Sequence, residues 1–185
     1  PLLPVYGIAG NFAGSRGLNL GNNYNPYAAL HRNQDDRRRR SRIFGNGFVE
    51  LTIAEDFKYK SSFGVKIEDQ RQLDIGRPQP EYVEGNFINS SRSHHEWGYE
   101  WVWYNTLSWE KTINDIHKIN AYVGVESIEG YSEFFGASRQ RFPFESTSII
   151  SYLSIGNQAT SGNYGNVADD YSLWSQFGQF NYSFE

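Results

Sequence analysis

An all-β chain of about five long antiparallel strands is predicted by three observations. Residues 57–67 alternate without a break: Phe57, Tyr59, Phe63, Val65 and Ile67 fall on one side of a strand, and Lys58, Lys60, Lys66 and Glu68 on the other. The 185 residues are 38% hydrophobic yet 17% aromatic, with 13 Tyr, 13 Phe, 5 Trp and 18 Gly, a balance that suits long strands and interfacial aromatic girdles. Long and short connections alternate along the chain, so an up-and-down sheet gathers its tight turns at one end and its long loops at the other. A run of this length matches the roughly 9–11 residues a tilted strand needs to cross a bilayer. One side would meet lipid and the other a hydrated lumen. The predicted architecture is therefore a segment of an antiparallel transmembrane β-barrel, with long extracellular loops and short periplasmic turns.

The elements follow in order. Residues 1–42 form a first loop region without a convincing amphipathic helix. Its run from Arg37 to Arg40, preceded by Asp35 and Asp36, is a solvated basic cluster. A first hairpin occupies 43–70. Its strand 43–54 sets Val49, Leu51 and Ile53 against Phe48, Glu50 and Thr52, and a turn at Glu55 and Asp56 leads into strand 57–70. A loop spans 72–95, rich in Pro, Asn, Ser and Arg. The second hairpin occupies 96–130. In strand 96–111, Trp97, Trp101, Trp103, Leu107 and Trp109 share one side. That aromatic stripe is either a lipid-facing surface with its ends at the headgroups or a sugar-stacking platform. The turn Asn114-Asp115-Ile116 leads into strand 117–130, where Ile119, Ala121, Val123 and Val125 are in step. A loop spans 131–171, and a last strand occupies 172–185, with Phe180, Tyr182 and Phe184 alternating with polar residues.

Several function classes are disfavoured. A net charge of −4 argues against nucleic-acid binding. The chain has no Cys, so thiol chemistry and disulfides are excluded. His94 and His95 are adjacent, point to opposite sides of a strand and lack further ligands, so no metal site is expected. No nucleophile, phosphate-loop or calcium-loop motif is present, and neither catalysis nor a cofactor is expected. A chain without Met whose last alternating run reaches Glu185 is expected to be a piece of a longer polypeptide. Five strands alone would leave two unpaired edges, so partner strands are expected beyond them. A soluble carbohydrate-binding β-domain and a purely structural outer-membrane barrel are the alternatives.

Short strings spread over the chain resemble the SusC-like TonB-dependent outer-membrane transporters. PVYGIAGNFAG at 4–14 is similar to a family stretch that carries an acid where Gly7 stands here, and it precedes NPYAAL at 25–30. FGNGFVEL at 44–51, FKYKSSFGV at 57–65, NTLSWEKT at 105–112, HKINAYVGVE at 117–126 and LWSQFGQFNYSF at 173–184 resemble family strands in the same order. The resemblance implies part of a barrel of about 22 strands with a plugged lumen. It implies import of oligosaccharide or peptide nutrients at the bacterial outer membrane. The implied partners are the remaining strands and plug of the same transporter, a SusD-like surface lipoprotein as a lid, the TonB complex and outer-membrane lipid. The family's plug, TonB-contacting segment and N-terminal accessory domain have no counterpart in these strings.

Candidate ligand contacts are then of two kinds. Lys58, Lys60, Lys66, Glu100 and Tyr104, with Glu68, would line the lumen wall. Phe142, Phe144, Tyr152, Asn157, Asn163 and Tyr164, placed in the loop, would stack on and hydrogen-bond a polar ligand, or pack against neighbouring loops or the lid.

Overall fold

The computed structural model describes residues 3–16 and 24–184. The terminal positions Pro1 and Glu185, assigned above to the first loop region and the last strand, lie outside them. Five strands form one antiparallel sheet in the order β1-β2-β3-β4-β5: β1 Arg37–Ala54, β2 Phe57–Gly76, β3 Ser90–Ile113, β4 His117–Gln140 and β5 Asn157–Phe184. The all-β architecture and the five-strand count are those expected. The strands run 18, 20, 24, 24 and 28 residues, well past the alternating cores.

Three expectations are corrected by this extension. The basic run Arg37–Arg40 is not a solvated loop but the start of β1, where Arg38 donates to the Gln72 side chain at 2.9 Å. The loop expected over 72–95 shrinks to 77–89, and that expected over 131–171 shrinks to 141–156. The reason is common to all three. Beyond the main apolar stretches the two sides of a strand no longer contrast cleanly, with Arg37 to Arg40 basic on both and Phe134 and Phe135 on opposite sides, so periodicity fades while ladder pairing continues.

A short helix, α1 (Pro26–Asn33), is a further correction. Pro26 stands at its first position, and the Asn25 side chain accepts from the amides of Tyr27 and Ala28, both at 3.2 Å. Eight residues are too few for a helical period to be visible in sequence. A second helix, α2 (Thr147–Ile150), is a single turn.

Both tight turns are present. β1 and β2 are joined by Glu55 and Asp56. Between β3 and β4 the Ile116 amide donates to the Ile113 carbonyl at 3.2 Å, with φ of 52° at Asn114 and 59° at Asp115. Positive φ at both central positions is the signature of a type I′ hairpin turn, which Asn and Asp tolerate best.

The chain divides into two compact units. One comprises 1–40, 70–95 and 134–166: the loops, α1, α2 and the adjoining strand ends. It holds every fully buried apolar side chain among the described residues: Ala28, Ile75, Phe142 and Ile150. Ile75, Phe142 and Ile150 form one cluster, with Leu73 and Leu153 against it. Ion pairs tie the loops together. Arg32 grips Glu81 through two hydrogen bonds of 2.5 and 2.7 Å, and Arg77 donates to Asp35 and to the Arg32 carbonyl. Thr147 also donates to Asp35, at 2.8 Å.

The other unit comprises 41–69, 96–133 and 167–185. Among the described residues it has no such cluster. Most apolar residues of β1 to β4 in this unit lie on the odd-numbered side and remain open: Ile53 is 66% exposed, Phe63 48% and Val123 59%. Cross-strand rings order this side, with Phe57 stacked on Trp109 and Phe63 on Trp101, each at 6.1 Å. The Trp103 indole donates to Ser61 at 3.1 Å. Apolar surface on this scale does not normally stay open on a water-soluble monomer.

Candidate functional site

The even-numbered side of β1 to β4 is the richer in charge, although Phe44 and Phe48 also lie on it. In the second unit Arg42 donates through Nε to Glu68 at 2.9 Å, and the Lys60 ammonium stands 4.5 Å over the Phe48 ring. Asn120 donates to Glu110 at 3.1 Å, and Ser132 to Asp169 at 3.2 Å. Lys58, Lys66 and Tyr104 share this side, as expected from parity. Glu100 is there too, and accepts a 2.5 Å hydrogen bond from the Tyr171 hydroxyl.

Glycine notches organise this side. A Cβ on Gly130 would collide with the Tyr171 ring, and one on Gly124 with the Phe177 ring. In the first unit a Cβ on Gly136 would collide with the Tyr164 hydroxyl. Each ring of β5 thus lies across a bare stretch of β4. The parity of β5 changes on the way. Tyr164 shares a side with Phe134 and His94, all even-numbered, whereas Asp169 and Tyr171 share a side with Ser132 and Glu100. One extra residue in β5 between 164 and 169 accounts for the change, as in a β-bulge.

The loop candidates separate. Phe142 is 5% exposed and belongs to the buried cluster, and its amide donates to Asn89 at 2.7 Å. It is a packing residue, and its expected stacking role is corrected. Phe144 and Tyr152 are exposed. Asn157 opens β5 and accepts from the Ala159 amide at 2.9 Å. Asn163 and Tyr164 lie in β5 and not in a loop, and they diverge. Asn163 borders a shallow hollow of about 680 Å³ with Ser93, His95 and Phe135.

Tyr164 anchors a polar and aromatic cluster of the first unit. Arg92 donates through Nε to its hydroxyl at 2.8 Å and lies 4.9 Å over its ring. The His94 ring stacks on it at 5.8 Å and 13°, with Nδ1 3.2 Å from the same hydroxyl. Phe134 closes the group at 6.3 Å. The sequence alone does not mark Arg92, and His94 draws notice there only as an unfit metal ligand. The signal available was the alternation Arg92, His94, Glu96, which places all three on one side of β3. His95 points the other way, edge-on to Phe135 at 5.0 Å.

The fold recurs in solved structures. Over 96% of its length the chain superposes on the RagAB peptide importer in its "closed-closed" state, with a TM-score of 0.75 and 25% identity. The RagAB peptide transporter gives 0.76 and 25%, and the "open-open" state of the importer 0.74 and 25%, again over 96% of this chain. These matches take in 19–20% of the other chains, so the chain spans about a fifth of their length. No protein-family model and no curated protein matches it.

Proposed function

We propose that this chain is a stretch of barrel wall from a SusC-like, TonB-dependent importer of the bacterial outer membrane, and that its nutrient is a peptide. The observation that carries the proposal is the division of one sheet into an open apolar side and a hydrogen-bonded polar side. In a bilayer the first side faces lipid, and the second faces a hydrated lumen. The likeness to the RagAB peptide importer supports peptide over oligosaccharide. Five strands are under a quarter of a barrel of about 22, so plug, remaining strands and TonB contacts belong to other parts of the protein. A SusD-like lipoprotein lid follows from the family resemblance of the strings spread over the chain. The chain has no catalytic role in this proposal.

Two measurements on the intact transporter test it. Spin labels at Val65→Cys and Val123→Cys should be relaxed by lipid-soluble oxygen, and a label at Lys66→Cys by a water-soluble nickel chelate. Water-exposed relaxation at Val65 and Val123 would overturn the membrane assignment. Cells carrying the transporter should take up labelled oligopeptides only while energised, and uptake of oligosaccharide alone would overturn the nutrient.

A further inference from the structure

We propose that Arg92, held over the Tyr164 ring beside His94, is a carboxylate-binding subsite that selects acidic peptides on the lumen wall; this rests on the peptide-importer function proposed above. The geometry fixes the guanidinium in two ways. Its central carbon lies 4.9 Å from the centre of the Tyr164 ring, and Nε is committed to the Tyr164 hydroxyl at 2.8 Å. Among the described residues neither Nη group of Arg92 meets an acceptor. What remains is a preoriented pair of parallel donors, the arrangement that matches the two oxygens of a carboxylate. An arginine held in this way loses less rotamer freedom on binding than a mobile one.

The surroundings set the charge of the ligand. Asp74 lies close enough to act on Arg92 electrostatically, while both its carboxylate oxygens accept from the Gln72 amide, at 2.8 and 2.9 Å. Asp74 is thus engaged without occupying the Nη donors, and its charge offsets part of the arginine's. A singly charged carboxylate fits that balance better than a phosphate dianion. The His94 and Phe134 rings pack on the same Tyr164 ring, so the cluster offers aromatic surface that suits a peptide side chain more than a bare ion.

The test uses the intact transporter with its lid, and calorimetry with oligopeptides of one length and sequence frame. One series places Glu at two positions, one replaces them with Gln, and one amidates the C-terminus. Arg92→Gln should weaken binding of the Glu peptide about tenfold, while the Gln peptide stays within about twofold. Tyr164→Phe keeps the ring but removes the acceptor for Nε, and should weaken the Glu peptide by a smaller factor. Arg92→Lys should not restore it, because an ammonium lacks the paired donors. Loss confined to Glu peptides, whether or not the C-terminus is amidated, assigns the subsite to the side-chain carboxylate, whereas loss shared by every peptide with a free C-terminus and abolished by amidation would overturn the selection of acidic peptides. Equal weakening of Glu and Gln peptides, no change in either, or displacement of the Glu peptide by millimolar inorganic phosphate would overturn the proposal. A wild-type protein that binds none of the peptides overturns the peptide function itself, and the subsite with it. Heat-modifiable migration on gels confirms that each variant is folded.

Discussion

Tyr171 on β5 reaches over β4 at Gly130 and donates a 2.5 Å hydrogen bond to Glu100 on β3. One side chain thereby spans three strands, which it can do only because the strand beneath its ring carries no Cβ. A methyl group at 130 would have to displace that ring. Gly130→Ala should cost about 1–3 kcal/mol, as overpacking in a tight contact does. Urea unfolding of the intact protein in detergent measures this. Adding Tyr171→Ala should recover part of the loss, and a strictly additive double variant would show that the ring is not what the glycine accommodates.

The open apolar side should reject charge. Val123→Arg should destabilise the folded state by about 2–4 kcal/mol if the site lies near mid-membrane, and by less nearer an interface. Lys66→Gln, on the opposite side, should stay within about 0.5 kcal/mol. Reversible folding into liposomes reads both. Equal effects of the two substitutions would show that the sides are not separated by lipid.

Asn25 is 5% exposed and does two jobs at once. Its oxygen caps α1, while Nδ2 donates to the carbonyls of Val5 and Ala13 at 3.0 and 2.9 Å. Asn25→Ala should therefore cost more than a cap alone, which is worth about 1 kcal/mol. Amide exchange should accelerate in α1 and in residues 5–13 together. Acceleration in α1 alone would mean that the two donated bonds contribute nothing.

Asp35 supplies a pH dependence. The Arg77 guanidinium first, and the Thr147 hydroxyl second, hold its carboxyl below the ordinary 3.8. A depressed value in the folded state means stabilisation that is present above about 3.8 and is lost as pH falls through the folded value. Exchange of amides around Thr147, corrected for intrinsic rates, should rise on acidification below that point. Asp35→Asn should already show the faster exchange at neutral pH, with a flatter response in the acid range. A wild-type profile unchanged by acid would remove Asp35 as the linchpin of these loops.

Phe142→Ala should leave a cavity between Ile75 and Ile150 and cost about 3 kcal/mol locally. Limited proteolysis of 141–156 reads the loss, and cleavage no faster than in the wild type would show that the cluster tolerates it.

How much of this was legible in the sequence depends on contrast between the two sides of a strand. Phe57 to Ile67 and Trp97 to Trp109 announce themselves because apolar and polar neighbours alternate through most of each run. The Asn114-Asp115 turn is visible because few other residues adopt positive φ cheaply. Arg37 to Arg42 carries no such contrast, and only its pairing with Gln72 and Glu68 reveals a strand. Tyr164 and Tyr171 lie seven apart, an odd spacing that puts them on opposite sides of a regular strand. The extra residue between them returns both to the polar side, and nothing local in the sequence marks it. Phe142 looks like any exposed loop aromatic, because its burial depends on Ile75 and Ile150, which are distant in sequence or separated from it by a turn. Arg92 and Tyr164 are 72 positions apart, so their meeting requires the register of three strands.

The rings of Tyr171 and Phe177, each seated in its own gap along β4, also act as a ratchet against sliding. For β5 to shift by one repeat of the pleat, both would have to climb out of their recesses together and ride over ordinary side chains. Alternative alignments of these neighbouring ribbons are thereby penalised by the two strands themselves, whatever lies beyond them.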